Sequence, residues 1–170
     1  MTDYFLVDAA ARACIDSLRR GGKILLAGNG GSAAQAQHMA AELMGRFAFD
    51  RPGLPALALT TDSSVITAIA NDYGYDQVFS RQVQAHGEKG DVFIGFSTSG
   101  KSPNILKALE EARACGLVCI GFTGNRGGPI RELCDFLIEA HSDETSIIQE
   151  RHLAMSHALC ALVEKSLFEH

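Results

Sequence analysis

Short apolar runs alternate along the chain with longer stretches of helical periodicity. Five runs, at 23–27, 56–60, 91–97, 117–123 and 135–140, are apolar nearly throughout and are followed by turn residues. That is the pattern of strands buried on both faces of a parallel sheet. Residues 3–20, 32–46, 63–71, 75–86, 103–115 and 144–168 carry helical patterns around and between them. Alternation of strand and helix implies right-handed crossovers. The predicted fold is therefore α/β: three layers around a doubly wound, five-stranded parallel sheet. No repeat, low-complexity segment or linker breaks the pattern, so the 170 residues are expected to form a single domain.

Ligands of such sheets sit outside the carboxyl ends of the strands, which directs attention to three loops. After the first strand comes Gly28-Asn29-Gly30-Gly31-Ser32. After the third comes Ser97-Thr98-Ser99-Gly100-Lys101-Ser102-Pro103, and after the fourth Thr123-Gly124-Asn125-Arg126-Gly127-Gly128-Pro129. In the second of these loops Ser102 is placed to cap the next helix and Pro103 suits its first position. Free N–H groups at the positive end of that helix, with the hydroxyls of Ser97, Thr98, Ser99 and Ser102, suit a phosphate. A polar turn with an ordinary cap is the plainer alternative. The first loop fits G-x-G-x-x-A through Gly28, Gly30 and Ala33. The acidic residue that a dinucleotide site needs at the end of the second strand is missing, which speaks against a nicotinamide oxidoreductase. No G-x-x-x-x-G-K-[ST] motif is present, so a P-loop is excluded.

Composition narrows the class. Hydrophobic residues make up 46% and charged residues 21%, with a formal net charge of −5. A broad nucleic-acid surface is not expected from that balance, although a small pocket for an anionic metabolite is compatible with it. No run reaches the roughly 18 apolar residues that span a bilayer, and the first residues lack a basic segment followed by an apolar core. The expected location is the cytoplasm, without membrane attachment. The five cysteines, Cys14, Cys115, Cys119, Cys134 and Cys160, are scattered, so reduced and mostly buried thiols are expected.

A second cluster of chemistry lies on the helical segments. His38 and Glu42 are four residues apart and share a helix face; Gln149 and His157 are eight apart and again fall on roughly one face. Two imidazoles, a carboxylate and an amide oxygen on mostly apolar helices make a donor set for a divalent ion, Zn²⁺ before others. A plain i,i+4 pair with exposed Gln149 and His157 fits the same spacing. His86, His141 and His152 have no such pairing and are expected at the surface.

GNGGSAAQAQHMAAE, AIANDYGYDQVFSRQV, GDVFIGFSTSGKSPN and IIQERHLAMSH, in that order, resemble the sedoheptulose-7-phosphate isomerase family within the wider SIS (flavodoxin-like) sugar-isomerase fold. The likeness runs from about residue 20 to 168. It implies that Ser97, Thr98, Ser99 and Ser102 hold the substrate phosphate, and that Asn29, Gly30, Ser32, Arg46, Asp72 and Gln149 line the sugar pocket. It also implies that His38, Glu42, Gln149 and His157 match the family's zinc positions, one ion per subunit, and that Glu42 and His157 match its proton-transfer residues. The expected reaction is aldose–ketose isomerisation of sedoheptulose 7-phosphate to D-glycero-D-manno-heptose 7-phosphate through an enediol, feeding heptose into lipopolysaccharide or another surface glycan.

The expected assembly is a homo-oligomer, a tetramer with shared active sites. A related branch binds the bacterial replication initiator without catalysis; the retained Glu42 and His157 favour the enzyme. An isomerase or sensor of another phosphosugar is the other alternative. Two departures from the family pattern stand out. The chain starts about twenty residues late, where relatives carry an extra helix, and Ile147 replaces an arginine common two residues before the glutamine.

Overall fold

A computed structural model describes residues 3–125 and 127–169. Helix α1 (Asp3–Arg19) leads into strand β1 (Ile24–Ala27), helix α2 (Gly31–Met44) and strand β2 (Ala56–Ala58). Helix α3 (Ser63–Tyr73), a 3-10 turn (Tyr75–Gln77) and helix α4 (Ser80–His86) precede strand β3 (Val92–Phe96) and helix α5 (Pro103–Ala114). Strand β4 (Val118–Thr123), a 3-10 segment (Gly128–Leu133), strand β5 (Phe136–Glu139) and helix α6 (Thr145–Phe168) complete the order. All strand pairs are parallel, in the order β2-β1-β3-β4-β5. This is the expected doubly wound sheet, with its strand order reversing between β1 and β3. The single helix anticipated over 75–86 is instead a 3-10 turn and a short helix, and the 3-10 segment after β4 had no counterpart in the sequence reading.

Alternate residues of each strand feed two cores. Ile24, Leu26, Val92, Ile94, Phe96, Ile120 and Phe122 pack with Val7 and Cys14 of α1, Met39 and Leu43 of α2, and Leu159 and Val163 of α6. Leu25, Phe93, Cys119 and Leu137 pack on the opposite face with Val83 of α4 and Ile105, Ala108 and Leu109 of α5. Burial on both faces is why the strands read as unbroken apolar runs. The cysteines are free. Burial pushes the thiols of Cys119, Cys134 and Cys160 up to about 12, so they pack as small hydrophobes rather than act as nucleophiles. Among the described residues no helix is long and apolar enough to cross a membrane.

His152 corrects the sequence reading: it is fully buried, not on the surface. It falls on the inward stripe of α6 with Ile148, Ser156, Leu159 and Val163. Its ring meets Phe122 edge-on at 5.5 Å, and its Nε2 lies 3.0 Å from the Thr123 carbonyl oxygen. That contact makes Nε2 the protonated nitrogen of a neutral imidazole.

Burial pushes the His152 pKa down to about 4, against the opposing pull of the Thr123 carbonyl. The unfolded chain takes up the proton near the ordinary value of 6.5, whereas the folded chain resists. The contribution of His152 to stability is therefore complete above pH 6.5 and is lost as pH falls toward 4, by about 3 kcal/mol in total. Urea unfolding at stepped pH should show this loss. A His152→Gln variant should have a correspondingly flatter profile across the same window.

Candidate active site

The glycine loop closes tightly at the end of β1. A Cβ on Gly28 would lie 2.4 Å from the Ser32 carbonyl oxygen, so only glycine lets the chain fold back there. Gly30, at φ +56°, leads into α2. Ser32 is buried beneath the turn. Asn29 and Asn104 exchange two amide hydrogen bonds, both 2.8 Å, and the Tyr75 hydroxyl donates to Asn29 Oδ1 at 3.2 Å. The β1 loop and the start of α5 are thereby locked together across the β1/β3 switch point. Beside them lies a cavity of about 350 Å³ lined by Asn29, Tyr75, Asp76, Ser102, Pro103 and Asn104. Asn104 and Tyr75 were not anticipated as site residues; Asn104, directly after Ser102-Pro103, was the readable signal.

The serine loop gathers hydroxyls at the start of α5. Ser102 occupies the N-cap position but its side chain does not cap the helix, contrary to expectation. It faces into the loop instead, with Ser102 Oγ and Ser97 Oγ 2.9 Å apart. Ser99 Oγ accepts from the Lys101 amide at 3.2 Å. Neither α2 nor α5 carries an acidic residue in its first turn, so nothing on the helix itself offsets the positive end of its dipole. On the far side of the loop a second cavity of about 250 Å³ is lined by Thr98, Ser99, Lys101, Asn125, Ser142, Asp143, Thr145 and Ile148. Arg126 of the β4 loop lies outside the described residues.

The helix-borne cluster also assembles. His38 Nε2 and His157 Nε2 are 2.8 Å apart, and His38 Nε2 lies 3.3 Å from Glu42 Oε1. One donor atom from each of His38, Glu42 and His157 falls within 4.8 Å of the other two, a grouping able to hold a metal ion. The site is not deeply buried: the side chains of His38 and Glu42 are 44% and 21% exposed. Burial therefore does not by itself demand an ion here, whereas the donor set suits one. The Phe47 ring packs 5.7 Å from the His157 ring.

The remaining predicted positions lie around these centres. Gln149 stands apart from the cluster within one chain: its amide covers Gly31, where a Cβ would lie 2.6 Å from Nε2. Eight residues of helix separate it from His157, about 12 Å along the axis. Its backbone carbonyl accepts from Gln35 Nε2. Arg46 and Asp72 are both exposed, and Asp72 accepts from Asn71 at 2.8 Å.

A family model described as the SIS domain matches residues 5–124. A phosphoheptose isomerase of Burkholderia pseudomallei (strain 1710b) is 67% identical over 162 residues, covering 95% of this chain and 82% of that protein. A phosphoheptose isomerase of Aneurinibacillus thermoaerophilus is 56% identical over 163 residues, covering 96% of this chain and 82% of its own length. The solved structure of phosphoheptose isomerase GmhA from Neisseria gonorrhoeae superposes with a TM-score of 0.89 at 44% identity, over 94% of this chain and 85% of that one.

Proposed function

The chain belongs to the phosphoheptose isomerase family of SIS domains, and from that premise we propose that it interconverts sedoheptulose 7-phosphate and D-glycero-D-manno-heptose 7-phosphate. The observation that carries the reading is the convergence of His38, Glu42 and His157 from two helices, His38 and His157 being 119 positions apart in sequence and 2.8 Å apart in space. In this reading the hydroxyls of Ser97, Thr98, Ser99 and Ser102 and the start of α5 hold the phosphate. Asn29, Gly30, Ser32, Arg46, Asp72 and Gln149 line the sugar. Anchoring the tail positions the reacting carbons for proton transfer.

The reaction moves one proton between neighbouring carbons and another between their oxygens. Glu42 and His157 share these duties: one takes the proton from the carbon beside the carbonyl and returns it next door, giving an enediol on the way. The other carries protons between the two oxygens. Two imidazole nitrogens and a carboxylate within bonding reach suit Zn²⁺, so His38, Glu42 and His157 would hold it, one ion per subunit. Bound there, the ion supplies a Lewis acid for the sugar carbonyl. Gln149 joins that set only if a neighbouring copy brings its own glutamine to the cluster. We place the protein in the cytoplasm as a homotetramer with shared sites. The exposed Met44 at the end of α2 and Leu162 on α6 support such contacts.

The test is turnover by the purified chain. Sedoheptulose 7-phosphate should be isomerised, activity should fall at least tenfold after chelation, and Zn²⁺ should restore it. No turnover with or without Zn²⁺ would favour a non-catalytic adaptor. Faster turnover of a hexose or amino-sugar phosphate would redirect the substrate assignment.

A further inference from the structure

Glu164 and Arg51 form an ion pair whose two side chains are each only 2% exposed, with Glu164 Oε2 2.9 Å from Arg51 Nε. Neither residue figured among the sequence candidates, and the two lie 113 positions apart. A buried pair of this kind is weak evidence for stability, because desolvation offsets the attraction. Its remaining contacts are more informative. Glu164 accepts from the backbone amides of Phe47, Ala48 and Phe49 at 2.8, 2.7 and 3.3 Å. Arg51 donates to the carbonyls of Glu42 and Leu43 at 2.8 and 2.6 Å, and to those of Gly45 and Pro52 at 3.2 and 3.1 Å.

The guanidinium thus closes the carbonyl end of α2 at the residue that carries the cluster's carboxylate. A helix leaves its last carbonyls without partners, and Arg51 takes the one belonging to Glu42. The glutamate fixes the segment that follows, and that segment presses the Phe47 ring on His157. Glu164 is also two turns beyond His157 on α6, on the same face. One charged pair therefore touches both halves of the cluster through their immediate neighbours.

We propose that Arg51 and Glu164 are positioning residues that set Glu42 of α2 against His157 of α6. The proposal rests on the isomerase reading for its kinetic consequence, but not for its geometric one. Arg51 alone suits this arrangement, because a planar fork reaches several carbonyls and a carboxylate at once, whereas a lysine offers a single point charge.

The test uses the full chain with two variants. Arg51→Met/Glu164→Leu removes both charges, so no lone buried ion is left to unfold the protein. Arg51→Lys keeps the charge facing Glu164 and loses the fork; it supplies the same readouts should the double variant fail to fold. Four quantities are measured: kcat and KM for sedoheptulose 7-phosphate, the thermal midpoint, and the crystallographic spacing of His38, Glu42 and His157. The expected result is a folded protein whose kcat falls about 10- to 100-fold while KM stays within about threefold, since the serine loop is not touched. The Glu42-to-His157 spacing should change by about 1 Å, enough for such a loss. A folded variant with an unmoved cluster overturns the proposal, whatever its kinetics. If the unaltered chain shows no isomerase activity, the functional reading fails while the spacing still decides the positioning role.

Discussion

Glu42→Gln is expected to lower kcat by about 10²- to 10⁴-fold, and His157→Asn by a similar factor, with KM for the phosphosugar little changed. Glu42→Gln keeps the size of the side chain and His157→Asn keeps a polar end in a smaller one, and each removes the capacity to take or give a proton at the needed place. The loss corresponds to roughly 3–5 kcal/mol of transition-state stabilisation. KM is spared because the phosphate anchor proposed above lies on another loop, whose hydroxyls meet around the Ser97–Ser102 contact rather than around the imidazoles.

The two losses should not add. In the proposed mechanism Glu42 and His157 act on one substrate carbon pair, so the double variant should fall about as far as the worse single one. Folding should be little affected, by about 1 kcal/mol or less, since neither group is fully buried. Steady-state kinetics and thermal melts measure both quantities. A kcat within threefold of the unaltered chain would remove the mutated residue from the proton-transfer role.

Gly100→Ala should cost roughly 3–5 kcal/mol of stability and raise KM for the phosphosugar by about tenfold or more. Gly100 is buried at φ +65°, in the left-handed region that penalises any Cβ. The added atom would fall 1.8 Å from the Gly127 carbonyl oxygen and 3.0 Å from Thr123 Oγ1. A carbonyl of the β4 loop cannot swing away as the end of a side chain can, and the Gly100 carbonyl also accepts from the Ile130 amide. The serine loop must move as a body, taking Ser97, Thr98, Ser99 and Ser102 out of register.

Gly30→Ala separates strain from collision. Gly30 sits at φ +56° with nothing within 4 Å of an added Cβ. It should therefore lose only the backbone strain, about 1–3 kcal/mol and less than Gly100→Ala. Urea unfolding of the two variants side by side, with KM measured for each, tests both parts. Equal destabilisation of the two would mean that the close approach of the β3 and β4 loops is not under the stated constraint.

Much of the scaffold was legible from periodicity. Strands buried on both faces must be apolar at every position, and helices covering them must repeat near 3.6, so each strand and each long helix was located to within a few residues. The i,i+4 relation of His38 and Glu42 was legible for the same reason. The errors have a common physical origin. His152 looked like a surface residue because its chemistry is polar, yet the stripe through Ile148, Ser156 and Leu159 had already assigned it to the interior. Ser102 stood at a cap position, but a neighbouring Ser97 competes for its hydroxyl, and that competition depends on how the loop closes.

Local order along the chain determined the α/β architecture, the glycine and serine turns at the strand ends and the residue types available for chemistry, because each follows from neighbours within a few positions. Only the packing of α2 beside α6 decided which of those residues meet. It brings His38 and Glu42 to His157, leaves Gln149 over Gly31, and joins Arg51 to Glu164. Contacts between residues more than a hundred positions apart are set by how two helices lie on a common sheet, and no spacing along either helix encodes that.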